Sequence, residues 1–130
     1  MKHERSPVIA IRDLRVEFKT PLGRPVVAVD GLDLSVGQGE VVGFIGPNGA
    51  GKTTTIKVLM GFIRPCRGEV SVFGETAGSL GARRRIGYLP EVAEYYPFLT
   101  AREALRLYAK LAGIRKDVRE GVIGDLLQRV

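Results

Sequence analysis

Eight consecutive residues, Gly46-Pro47-Asn48-Gly49-Ala50-Gly51-Lys52-Thr53, carry the strongest chemical signal in this 130-residue chain. They satisfy the spacing G-x-x-x-x-G-K-[ST] at every fixed position. Each residue type has a physical task at its place. Glycines reach positive φ and put no Cβ between the backbone and an anion. Successive backbone N–H groups can then converge on phosphate oxygens, and a helix starting at the lysine adds about half a positive charge. Lys52 can set its ammonium against the terminal phosphates. Thr53 offers a hydroxyl to Mg2+, and Thr54 offers one to a phosphate oxygen. Asn48 suits a tight turn and can donate to a terminal phosphate. Such a loop binds a nucleoside triphosphate with Mg2+. The plainer alternative is a glycine-rich turn with an incidental lysine, and the flanking pattern speaks against it.

That pattern supplies the elements that must position the loop. Val41 to Ile45 is a continuous apolar run, the mark of a strand buried on both faces. After the loop, Lys52 to about Phe62 reads as a helix with Ile56, Leu59, Met60 and Ile63 on one side. Upstream, Ile9, Ile11, Leu14, Val16 and Phe18 alternate as in a strand, with an irregularity expected near Asp13. Residues 20–25 are turn chemistry. Val27 and Val29, then Leu32, Leu34 and Val36, suggest a second strand pair after Asp30-Gly31.

Downstream, Arg64 to Gly68 ends the helix and Val70 and Val72 begin a short strand. Ile86 to Leu89 is another brief strand, stopped by Pro90. Thr100 and Glu103 stand at capping-box spacing, so a helix starts there. Ala104, Leu105, Tyr108 and Leu111 form its apolar stripe, and Gly113 its stop. Asp117 to Val130 is a last helix with Val118, Val122, Leu126 and Val130 at intervals of four, weakened by Gly121 and Gly124. Strands mixed with helices make an α/β chain.

Composition narrows the function classes. An apolar fraction of 45% and a charged fraction of 26% belong to a folded chain, not a disordered or fibrous one. No apolar run approaches the roughly 18 residues of a membrane span, and residues 1–7 are too charged for a signal peptide. The single cysteine, Cys66, excludes an internal disulfide framework and suits a reducing compartment. It reads as an inert turn residue. His3 lies in an expected tail and is neither ligand nor switch. The net charge of +6 is concentrated in residues 41–90, which hold seven basic and two acidic side chains. Arg83-Arg84-Arg85 has no interleaved aromatics, so nucleic acid is not an expected partner. Seventeen glycines are about 13% of the chain, against a usual ~7%.

The stretch from Val29 to Gly74 closely resembles the N-terminal part of ATP-binding-cassette (ABC) ATPases. The resemblance rests on Gly39-Glu40, the GPNGAGKTTT loop and the run Leu59, Gly61, Pro65, Gly68. It continues through Arg84 to Glu91 (RRIGYLPE) and Leu99 to Glu103 (LTARE). The IGYLPE form is most similar to ATP-binding subunits of ABC-2-type exporters, multidrug ones among them. The resemblance implies a P-loop NTPase fold of α/β class: an ABC-type core with an N-terminal antiparallel β-subdomain, truncated before the second half of the core. On that basis residues 8–45 form the β-rich start, 46–62 the loop and helix, 69–91 the strands to the Gln loop, and 100–130 the start of the helical region. Other phosphate-loop classes, such as a small kinase or a DNA-repair ABC ATPase, fit the loop and IGYLPE segments less well.

Family roles carry over only at matching positions. The resemblance implies ATP and Mg2+ as cofactors, with Phe18 stacking on adenine; a buried Phe in an alternating strand is the competing reading. The Gln-loop position, which in the family touches Mg2+ and the attacking water, is Glu91 here. A carboxylate can still ligate the metal, while a plain solvated turn is the alternative. Tyr95, Tyr96 and Phe98 occupy the region that receives a coupling helix from a membrane-spanning permease subunit; core packing of the same rings is the alternative. The implied setting is the cytoplasmic face of the cell membrane, held there through the permease, with a second ATP-binding subunit completing a dimer.

The family also needs a signature loop, an acidic motif with a metal-binding Asp and a catalytic Glu, and a switch histidine. The 130 residues contain no Ser-Gly-Gly run, no apolar strand ending in Asp-Glu and no histidine after His3. Two expectations stand side by side. The chain belongs to an energy-coupling ATPase subunit, or it is a truncated nucleotide-binding fragment that holds ATP weakly, turns none over and is marginally stable.

Overall fold

The computed structural model describes residues 7–21, 23–92 and 95–129. His3, Leu22 and Val130, which entered the expectations above, lie outside them. The described chain divides into two compact units, one up to Gly87 and one from Tyr88 onward.

The first unit is built on four antiparallel strands: β1 (Ile9–Phe18), β2 (Val26–Val36), β3 (Arg67–Val72) and β4 (Glu75–Thr76), ordered β2-β1-β3-β4. β1 carries its irregularity at the expected place. Asp13 has φ 47, the ladder slips between Ile11 and Leu14, and the Asp13 N–H donates to Asp33 Oδ1 at 2.9 Å. Adding one residue there keeps Ile11 on the same face as Leu14 and Val16, and all three are buried.

The expected strand pair after the turn is instead one strand, β2. Leu14 faces Leu32 while Val16 faces Val29, so two residues of β2 oppose one of β1. Gly31, at φ 67, absorbs the extra residue as a bulge, and the chain never turns back.

Helix α1 (Lys52–Leu59) lies against this sheet. It is shorter than expected, because Gly61 at φ 72 closes it: Phe62 N–H bonds to Lys57 O and Gly61 N–H to Val58 O, a Schellman end. A Cβ at Gly61 would also strike the backbone of Gly78, so glycine is required twice over. The buried stripe of α1 is Thr55 and Val58, not the expected one through Ile56, which is exposed. Val58 joins Ile11, Leu14, Val16, Val29 and Val70 in the core, with Leu59 and Ile63 packed at its edge. Serine-capped α2 (Leu80–Arg84) and the short β4 escaped the sequence reading; Ser79, whose Oγ accepts from Ala82 N–H, was the available signal.

Two expected strands are absent. Neither Val41–Ile45 nor Ile86–Leu89 is in a strand, and Val41 and Leu89 are exposed, with Ile45 94% exposed. A strand apolar on both faces needs ladder partners beside it and covering layers above and below. No described strand pairs with either segment. Their composition asks for a central sheet position that the described residues do not build.

The second unit is a helical hairpin of α3 (Ala101–Leu111) and α4 (Lys116–Gln128). α3 starts with the expected capping box: Glu103 N–H donates to Thr100 Oγ1 and the Thr100 N–H to Glu103 Oε2. Gly113, at φ 73, ends it as expected. The buried residues are Ala109 of α3 and Ile123 of α4. Tyr108 and Leu111 of the expected apolar stripe, and Val118, Val122 and Leu126 of the expected four-residue spacing, are exposed. An exposed pair of Arg106 with Glu120 joins the two helices across their surface. Its two bonds, 2.7 and 2.8 Å, are bidentate.

Candidate phosphate-binding site

The loop and its helix are built from local backbone rules. Gly49 and Gly51 adopt φ 85 and φ 83, Ala50 N–H bonds back to Pro47 O, and α1 starts immediately after Gly51. No side chain caps α1 and no acidic residue stands in its first turn. Its leading N–H groups therefore have no carboxylate or hydroxyl competing with an incoming anion. Lys52 reaches back across the loop: Nζ donates to Gly46 O at 2.6 Å and to Pro47 O at 2.8 Å. An ammonium held by two loop carbonyls stays at the mouth of the loop, where it can meet phosphate oxygens.

Gly51 is the point where the loop meets the sheet. A Cβ there would stand 2.6 Å from Ala28 O and 2.8 Å from Val29 Cγ2. Only a glycine lets the loop turn this close to β2. Thr55, one helical turn on, is 1% exposed and donates its hydroxyl to Gly51 O at 2.9 Å. Sequence reasoning passed over Thr55, although its place as a third threonine on the buried side of α1 was the signal.

The residues present suit a polyphosphate. Gly46 to Ala50 are exposed, Lys52 is at the mouth, and a groove bounded by Ala28, Asp30, Phe44, Gly49, Lys52 and Thr55 runs beside the loop. A larger concavity of about 980 Å³, bounded by Arg12, Gly61, Ser71, Gly78 and Arg83, includes none of the loop residues. The loop, not the larger cleft, has the chemistry. For a divalent metal the protein offers little: among the described residues no three His, Cys, Asp or Glu side chains gather. Mg2+ bound mainly by phosphate oxygens and water, with one protein hydroxyl, fits such a donor set. Thr53 is exposed at the start of α1 and Thr54 is half-buried beside it.

The other expected site residues are placed as follows. Phe18 is the last residue of β1, and strand alternation sets it on the face of Leu14 and Val16. It is 42% exposed, so it is no core residue. Glu91 is exposed and belongs to the second unit. Tyr95, Tyr96 and Phe98 are all exposed, with the Tyr96 and Phe98 rings 5.6 Å apart between centroids. Core packing is therefore not their role within the described residues. Cys66 is exposed and its Sγ donates to Arg15 O at 3.2 Å.

A glycine-rich loop of the pattern G-x-x-x-x-G-K-T between an apolar segment and a helix, beside an antiparallel β-subdomain, is the arrangement of a cassette-type nucleotide-binding domain. A sequence profile described as ABC transporter matches residues 29–129, and the chain belongs to that family. It is similar to the bacitracin transport ATP-binding protein BcrA of Bacillus licheniformis, at 48% identity over 105 residues, 79% of this chain and 33% of that one. An ABC transporter ATP-binding protein of Nostoc sp. is 41% identical over 125 residues, 95% of this chain and 37% of that one. A Nod factor export ATP-binding protein I of Burkholderia pseudomallei is 39% identical over 104 residues, 78% of this chain and 34% of that one. The chain thus spans about a third of the length of these relatives.

Solved structures agree on the fold. The ATP-binding subunit of an ABC transporter superposes with a TM-score of 0.71 at 33% identity, over 85% of this chain and 45% of that one. A dimeric post-hydrolysis cassette, MJ0796 bound to ADP and Pi, gives a TM-score of 0.77 at 22% identity, over 92% of this chain and 56% of that one. The ABC-type α/β class with its antiparallel β-subdomain is the fold of this chain.

Proposed function

We propose that this chain carries the phosphate-binding half of an ABC exporter's ATP-binding subunit and holds Mg-ATP on the loop Gly46 to Thr54. The observation that carries the reading is the uncapped start of α1 under an ammonium held by Gly46 O and Pro47 O. Loop N–H groups and the helix dipole neutralise the phosphates, and Lys52 takes the terminal oxygens. Thr53 would hold Mg2+, with Glu91 as a second candidate ligand, and Thr54 a phosphate oxygen. When bound, the metal would neutralise charge developing on the phosphates. Phe18 offers a half-exposed aromatic face to the adenine.

Relatives named for bacitracin transport and Nod factor export support the transport reading. No helix among the described residues is long and apolar enough to cross a membrane. In this reading, which rests on the family resemblance, a permease supplies the membrane path, with Tyr95, Tyr96 and Phe98 as its docking surface and the cytoplasmic membrane face as the site of action. A second ATP-binding subunit would complete each nucleotide site. Without a signature loop, acidic motif or switch histidine among these residues, the 130-residue chain binds nucleotide and does not turn it over. The test is calorimetric titration with Mg-ATP. Binding is expected for the chain and lost in Lys52→Ala. Equal affinity of the two would refute the proposal, and Lys52-dependent turnover by the chain alone would refute the non-catalytic part.

A further inference from the structure

Thr55 is the sole polar side chain in the buried set among the described residues, at 1% exposure. It sits where valine would fill the same space at no polar cost. Its hydroxyl makes one bond, to Gly51 O at 2.9 Å, and its own N–H reaches the same oxygen at 2.8 Å. The acceptor is not an ordinary mid-helix carbonyl. It belongs to the left-handed residue that closes the loop, and that residue is pressed from the other side by Ala28 O and Val29 of β2.

A peptide unit is planar, so the direction of Gly51 C=O fixes the opposite direction of Lys52 N–H. With Gly51 O engaged by both the hydroxyl and the N–H of Thr55, the Lys52 N–H is held pointing away from Thr55, out of the start of α1. We propose that Thr55 is a positioning residue for phosphate binding: its hydroxyl sets the plane of the Gly51–Lys52 peptide and so aims the first amide of α1 at the anion. The proposal rests on the loop's holding nucleotide as described above. A hydroxyl bonding back to the fourth preceding carbonyl is common in helices and by itself implies nothing. The difference here is that the peptide so held is the one at the site.

The experiment measures Mg-ATP affinity and thermal midpoint for the chain and for Lys52→Ala, Thr55→Val and Thr55→Ser. Thr55→Val, which keeps the volume and removes the hydroxyl, is expected to weaken binding about three- to tenfold, as loss of one orienting hydrogen bond does. Its midpoint should be unchanged or higher. Thr55→Ser, which keeps the hydroxyl, should bind within about twofold of the parent. Thr55→Val binding as tightly as the parent while Lys52→Ala has lost binding would overturn this proposal alone. So would a Thr55→Val loss that Thr55→Ser shares in full, or one matched by a lower midpoint. Equal binding by the parent and Lys52→Ala would overturn the loop reading and this proposal with it.

Discussion

Single residues decide the shape of the phosphate loop, and Gly51 decides most. It needs a left-handed backbone, and it stands where a methyl group would meet Ala28 O at 2.6 Å. The two demands compound. Gly51→Ala is therefore expected to destabilise the first unit by about 1–3 kcal/mol, from backbone strain alone, with the contact added to it. Urea unfolding followed by circular dichroism measures it; an unchanged midpoint would show that the loop can stand off from β2. Lys52 is a different kind of residue. Its bonds are to Gly46 O and Pro47 O of its own loop, so Lys52→Ala should remove nucleotide binding while leaving the fold intact.

At the scale of elements, the two helical regions depend on different forces. α1 is held by its apolar face, through Val58 against the sheet. Of the α3–α4 hairpin only Ala109 and Ile123 are buried, and α3 is started by a capping box. Thr100→Ala removes a reciprocal cap and should cost about 1 kcal/mol, read as reduced helicity or a lower urea midpoint. Glu120 is held below the usual carboxylate range, first by its hydrogen bonds from Arg106, and Glu103 is lowered by the Thr100 hydroxyl and N–H. A lowered folded pKa stabilises above the unfolded value, about 4.3 for Glu, and the gain is lost as pH falls through the folded value. Helicity of the hairpin should decline below about pH 4. In Glu120→Gln part of that decline should be missing. Identical acid titrations of parent and variant would mean that the Arg106 pair contributes nothing. The exposed pairs of Arg15 with Glu17 and Asp30 are of the weak surface kind.

For the whole molecule the controlling fact is exposed apolar surface. Val41, Ile45, Leu89, Phe98 and Leu111 all face solvent. A contiguous chain stretch such as residues 41–45, apolar by composition and outside the sheet, is a liability for association. The 130-residue chain is expected to bind a hydrophobic dye and to self-associate with concentration. Replacing Val41 and Leu111 by serine should reduce both effects without changing Mg-ATP affinity, since neither borders the loop or the groove beside it. Limited proteolysis gives the same answer another way: a resistant core retaining the full 14.2 kDa would contradict it.

Much of this was legible in the linear chain. The glycine turn of residues 46–51, the bulge near Asp13, the capping box of Thr100 and Glu103 and the stop at Gly113 are local, fixed by residue type and spacing over a few positions. The ABC family could be recognised for the same reason. Periodicity failed where burial depends on what lies opposite. Val41–Ile45 has the composition of a central strand but no described neighbour, so it forms none. Val118, Val122 and Leu126 have helical spacing, yet Ile123 is the residue of α4 that is buried, because the face that packs is set by what lies opposite. The strand pair expected after Asp30 became a single strand because Gly31 could take a bulge as readily as a turn. The sequence by itself determined the turn and donor set of the loop, since these follow from backbone conformation and a handful of side chains. Only the tertiary structure decided that Gly51 is clamped between β2 and Thr55, because contact between residues far apart in the chain is set by packing, which local pattern does not encode.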